Sequence, residues 1–166
     1  MPPSAAPLAR LALASLLAAA GAVAAERGLP IEITADRSDG NLREPGVTVL
    51  SGNVRIQQGE LLVVADRAEI HRDGARVGRV VLEGSPVRLE QPLADRPGRL
   101  VAEARRIDYD PETRRMVLRD EVRIAEPRGE LSGSLVEYDI ATGRVRADGS
   151  GETPVRIRIE PDANRG

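Results

Sequence analysis

The side chains able to do chemistry in this 166-residue chain are few in kind. There is one histidine, His71, and no cysteine, which excludes Cys/His nucleophiles and the common zinc sites. His71 sits beside Arg72-Asp73-Gly74, a turn sequence in which an imidazole is expected to be solvated. No G-x-S-x-G elbow, H-E-x-x-H helix or phosphate-binding loop occurs. Carboxylates are plentiful, so a pair of them flanking a glycosidic bond is the one catalytic arrangement left open. Asp36 and Asp66, each after an alanine, are the acids that break from the turn and polar-phase positions of the rest. A turn-capping role is the plainer expectation for both.

A second constellation is basic. Arg55, Arg88, Arg123 and Arg156 each stand between two apolar neighbours in a V-R-[IL] tripeptide. If the apolar neighbours face an interior, the four arginines face outward in a row. Such a row could hold anions, because guanidinium pairs well with phosphate. Acids nearby would instead make it a solvated, ion-paired face, and that is the reading preferred here.

The elements that must position these residues are repeats. Val54-Arg55-Ile56, Val87-Arg88-Leu89, Val122-Arg123-Ile124 and Val155-Arg156-Ile157 are spaced by 33, 35 and 33 residues. Each follows a turn signal, such as Ser51-Gly52-Asn53, Gly84-Ser85-Pro86 or Arg119-Asp120-Glu121. A small residue before a polar one recurs at Ala65-Asp66, Ala102-Glu103 and Gly133-Ser134. Ile31-Glu32-Ile33 and Arg156-Ile157-Arg158-Ile159 alternate with period two, so the units read as strands. Each unit is expected to hold three or four short strands and cannot bury its own apolar face. Stacking the units gives an all-β, elongated, solenoid-like or jelly-roll-like domain with two facing sheets and unpaired strands at both ends.

Composition bounds the rest. Residues 1–25 read as a secretory signal peptide, with Arg10, an apolar run from Leu11 to Val23, and Ala22-Val23-Ala24 for the peptidase. Retained, the same segment would be a membrane anchor. Net charge is −2 at pH 7, which argues against a nucleic-acid partner. Lysine, phenylalanine and tryptophan are absent, and the only aromatics are Tyr109 and Tyr138. The core must therefore be aliphatic.

The stretches Pro30-Ile31-Glu32-Ile33-Thr34-Ala35-Asp36, Leu50-Ser51-Gly52-Asn53-Val54-Arg55-Ile56-Gln57-Gln58-Gly59 and Val64-Ala65-Asp66-Arg67 resemble the OstA-like family of lipopolysaccharide-transport proteins. The likeness runs from Pro30 to Ile159 and includes Tyr109 and Tyr138. The third unit departs from it, with Leu118-Arg119-Asp120-Glu121-Val122 where the family often has Gly-Asn. The resemblance implies an open twisted β-jelly roll over 26–160, between the signal peptide of 1–25 and a tail over 161–166 whose polar composition reads as disordered. It also implies a periplasmic, non-enzymatic carrier without cofactor or metal that shields lipid A acyl chains in a groove. Implied partners are lipopolysaccharide, an inner-membrane-anchored LptC-like protein at the N-terminal edge, an outer-membrane LptD-like receptor at the C-terminal edge, and further copies head to tail.

On that reading, alternation picks the groove lining: Ile31, Ile33, Val54 and Ile56, then Val64 and Leu89, then Ile107, Tyr109, Val122 and Ile124, then Tyr138 and Ile157. Ile31, Leu89 and Tyr109 fall where the family places lipid-contacting residues. Ordinary core packing is the alternative for each. The rival functions are the membrane-anchored partner with the same kind of domain, a carbohydrate-active enzyme on a β-solenoid, and a scaffold with a filled core.

Overall fold

The computed structural model describes residues 29–40, 45–74, 76–93, 97–140, 142, 144–150 and 153–161. The expected signal peptide and residues 162–166 of the expected tail lie outside the described residues.

The strands are β1 (Ile31–Thr34), β2 (Arg37–Asp39), β3 (Gly46–Gln58), β4 (Leu61–Asp73), β5 (Arg76–Pro92), β6 (Arg99–Asp110), β7 (Arg115–Glu126), β8 (Gly129–Asp139), β9 (Arg144–Asp148) and β10 (Arg156–Ile159). They form one ten-stranded antiparallel sheet in the order β1-β3-β4-β5-β6-β7-β8-β10, with β2 beside β3 and β9 beside β8. Among the described residues the sheet is open: β1 and β2 make one edge, β9 and β10 the other.

The strands are fewer and longer than the repeat suggested. Ser51-Gly52-Asn53, Gly84-Ser85-Pro86 and Arg119-Asp120-Glu121 do not end strands; they lie inside β3, β5 and β7. At each, the register with the neighbouring strand slips. Gly52 and Asn53 at φ 75° and 46°, and Asp120 and Glu121 at 61° and 53°, are left-handed, which is how a strand turns a corner without stopping. These bulges line up across the sheet and crease it.

The crease makes the core. Among the described residues no helix covers the sheet, yet Ile107, Val54, Val87 and Val136 have no exposed surface and Leu118 almost none. The two halves of the bent strands therefore face each other, and residues of both belong to one buried cluster. Val54 pairs with Ala65, Val87 with Ala104 and Val122 with Gly133 at the crease. A large residue opposite a small one lets the leaves close there; the small partner is the one in the recurring motif at Ala65 and Gly133, whereas opposite Val87 it is Ala104 and not Ala102.

Candidate functional site

The interior is built of rows that run across the strands. In the leaf containing β1 and β10, the row Ile33–Ile56–Val63–Leu89 continues through Ala102, Ile124 and Leu131 to Ile157. In the other leaf, Leu50–Ala68–Leu82–Ile107 continues through Leu118 and Val136 to Ala147. Both rows are buried at their middles. At the two edges the first ends in exposed aliphatics: Ile33 is 38% and Ile157 59% exposed, with Ile31 and Ile159 beside them at 59% and 58%.

A third row forms the rim of the second leaf: Thr48, Ile70, Val80, Tyr109, Met116, Tyr138 and Val145. Except for buried Thr48, its members are half-buried, so this rim is where the apolar interior meets solvent. Tyr109 and Tyr138 flank Met116 on it. Tyr138 is held neutral beyond the usual phenol range, chiefly by burial and also by Asp139, against the opposing pull of Arg114.

The sequence-chosen lining residues separate into three sets. Val54, Ile107, Val122, Leu89 and Ile124 are deep and packed. Ile56, Tyr109 and Tyr138 are half-buried, and Ile31, Ile33 and Ile157 lie at the open edges. Val64 needs correcting: it pairs with Arg55 and Arg88, stands in the outward phase and is 40% exposed, while its neighbour Val63 points in. The run Leu61-Leu62-Val63-Val64 has no alternation of its own, so only pairing fixes its phase. Ile70, Val80, Met116 and Val145 are absent from the sequence-chosen set; cross-strand pairing alone brings Val80, Met116 and Val145 beside Tyr109 or Tyr138, and Ile70 joins the row through Val80.

Three inward polar atoms lack a hydrogen-bond partner among the described residues: Thr48 Oγ1, Gln91 Nε2 and the Tyr138 hydroxyl. Gln91 is only 6% exposed. Buried polar groups in folded proteins are almost always paired, so each such atom calls for a reason.

The outward arginine row forms as expected. Arg55, Val64, Arg88, Glu103, Arg123, Ser132 and Arg156 are successive register partners. Acids engage it: Arg88 Nε donates to Glu90 Oε1 at 2.8 Å and another of its nitrogens to Glu103, while Arg123 donates to Glu130 Oε2 at 2.8 Å. The hydrogen bond from Arg123 lowers the Glu130 carboxyl below its ordinary range. On the other leaf, Asp108 accepts from Arg106 at 3.0 Å and from Arg79, with Arg119 3.6 Å away. Burial pushes the Asp108 carboxyl up, but its bonds and charges from Arg106 and Arg79 win and hold it low.

The remaining candidates have structural work. Asp36 accepts from Asn53 Nδ2 at 2.9 Å, as a turn cap would. Asp66 is exposed at the register slip of β4. His71 is on the sheet surface, 3.4 Å from Glu69. No group of three or more His, Cys, Asp or Glu among the described residues is placed to hold a metal ion.

Residues 32–144 match the family described as LptA/(LptD N-terminal domain) LPS transport protein. The chain is 27% identical over 135 residues to the lipopolysaccharide export system protein LptA of Haemophilus influenzae, covering 80% of this chain and 77% of that one. Its fold is similar, at a TM-score of 0.72, to the crystal structure of LptH, the LptA-homologous periplasmic component of the lipopolysaccharide transport device of Pseudomonas aeruginosa. That similarity covers 82% of this chain and 99% of the other, at 24% identity.

Proposed function

We propose that this chain, which belongs to the LptA/(LptD N-terminal domain) family of LPS transport proteins, carries lipopolysaccharide by sheltering its acyl chains between the two leaves. An acyl chain of about a dozen carbons costs roughly 10 kcal/mol to keep in water, at ~0.8 kcal/mol per CH₂. A continuous apolar path removes that cost at every point along it. The observation that carries the reading is the open sheet, whose aliphatic rows, buried at their middles, run from one edge to the other, neither edge being paired among the described residues.

The acyl chains enter at the half-buried rim of Tyr109, Met116 and Tyr138 and part the leaves along it, with Leu89, Ile107, Val122 and Ile124 deeper in the path. Val, Ile, Leu and Ala walls offer no fixed polar holds, which suits sliding. The unpaired Gln91 and Tyr138 groups suit the ester and amide oxygens that join acyl chains to sugar. The chain acts as a conduit and not as a catalyst, so the driving energy comes from elsewhere.

Export to the periplasm by residues 1–25 completes the reading. The β1/β2 edge receives the inner-membrane-anchored LptC-like partner and the β9/β10 edge the outer-membrane LptD-like one, each by strand addition, which exposed edges favour. Copies of the chain extend the same sheet between them.

Photocrosslinking in cells tests the conduit. A photoreactive residue at Tyr109 or Leu89 is expected to form a lipopolysaccharide adduct, and one at outward Val64 none. Equal labelling at all three positions, or no adduct at Tyr109 and Leu89, would sink it.

A further inference from the structure

The two edges of the sheet carry matched charges, and matched in one register only. The N-terminal edge reads, in order, Ile31, Glu32, Ile33, Thr34, then Arg37, Ser38, Asp39. The C-terminal edge reads Arg144, Val145, Arg146, Ala147, Asp148, then Arg156, Ile157, Arg158, Ile159. Each pairs antiparallel with its inner neighbour, and the directions alternate across the whole sheet. A second copy added in the same sense therefore lays its β1/β2 edge antiparallel to β9/β10.

The internal rows then fix what meets what. The row that begins at Ile33 ends at Ile157, and the row of Leu50 begins at Ser38 and ends at Ala147. Continuing both rows into the next copy sets Ile33 against Ile157 and Ser38 against Ala147. Stepping along the strands from these anchors, Glu32 falls opposite Arg158, Arg37 opposite Asp148 and Asp39 opposite Arg146. All six are exposed, on the face opposite the apolar rows. The pattern extends the belts already inside the sheet, where Arg67, Glu83 and Arg106 are successive register partners.

We infer that this charge pattern is the polarity and register code of the joint between two copies of the chain, read in both leaves at once. The inference rests on the strand-addition reading above and adds which residues specify it. A joint of like edges is disfavoured: pairing β10 with β10 antiparallel about Ile157, which keeps the apolar row, sets Arg156 opposite Arg158, and directly opposed like charges repel. A slip of one residue turns Ile157 to the outward face. A slip of two keeps the apolar rows but opposes like charges: with Ile31 against Ile157, Glu32 meets Arg156 but Arg37 meets Arg146, and with Ile33 against Ile159, Glu32 meets Glu160 and Asp39 meets Asp148.

The natural absence of cysteine makes the register measurable. The mature chain is made with Ile33→Cys and Ile157→Cys, with Glu32→Cys and Arg158→Cys, and with the slipped pair Ile31→Cys and Ile157→Cys. Opposed pairs in an antiparallel ladder alternate between close and wide spacing, so at least one of the two adjacent in-register variants is suited to a disulfide. That variant is expected to give a ladder of disulfide-linked multimers on mild oxidation, and the slipped pair markedly less. Separately, the cysteine-free double reversal Glu32→Arg with Asp39→Arg is expected to weaken self-association in sedimentation by roughly tenfold. Adding Arg158→Glu and Arg146→Asp to it restores association, with circular dichroism unchanged throughout.

Ladders from the slipped pair alone, or reversals without effect, overturn the register code while leaving strand addition standing. A chain that stays monomeric at every concentration, with no ladder from any variant, overturns both.

Discussion

Asp36 and Asn53 are joined across the N-terminal edge of the sheet. Asn53 Nδ2 donates to Asp36 Oδ2 at 2.9 Å, and the Asp36 backbone N–H donates to the Gly52 carbonyl at 2.8 Å. Between β1 and β2, the chain thus follows the corner that β3 turns at Gly52 and Asn53. A Cβ on Gly52 would stand 2.4 Å from Asp36 Oδ2, so the left-handed glycine also makes room for the carboxylate.

Removing this tie should loosen one edge and leave the other alone. Asp36→Ala is expected to cost about 1 kcal/mol in urea unfolding, the usual net worth of such a bond. Hydrogen exchange should speed up in β1 and β2 and stay unchanged in β10. Uniform destabilisation would show that the corner is not a local lock.

Phase decides how much each aliphatic matters. Ile107 is fully buried and Val64 is 40% exposed. Ile107→Ala is expected to destabilise by about 2–5 kcal/mol, whereas Val64→Ala should stay within about 0.5 kcal/mol. Chemical denaturation of the two variants checks both. Comparable losses would mean that the outward face of β4 is covered by something absent from the described residues.

The Asp108 carboxyl is depressed in the folded chain despite its burial, because Arg106 and Arg79 bond its charged form. A depressed carboxylate stabilises the fold at pH above its unfolded value, about 3.9. That contribution disappears as pH falls through the lower folded value. Asp108→Asn should therefore be less stable than the natural chain at pH 7, and the gap should narrow as the solution is acidified below pH 4. Thermal melts from pH 7 to pH 2 measure it; a gap that is constant with pH would contradict the assignment.

Gln91 separates stability from cargo. Its Nε2 is buried without a partner among the described residues, so an apolar side chain there leaves fewer unsatisfied groups. Gln91→Leu is expected to melt at the same or a higher temperature while retaining less lipopolysaccharide on the purified protein. A variant that loses stability in proportion to its cargo would make Gln91 a structural residue.

The strand class, the repeat, the aliphatic interior and the outward arginine row are legible in the residues alone. All of these follow from local alternation and from the recurrence of V-R-[IL]. The same reading carried the family resemblance, which the match over residues 32–144 bears out. How the strands divide and which residues meet are set by long-range pairing, which local sequence does not carry. Gly52-Asn53 and Asp120-Glu121 look like strand ends because left-handed residues serve both turns and bulges, and the ladder on either side tells them apart. Val64 reads as inward from sequence because four consecutive apolar residues carry no phase until Arg88 is set beside it. The rim of Ile70, Val80, Met116 and Val145 emerged only from cross-strand pairing, since residues far apart in sequence become neighbours through register alone.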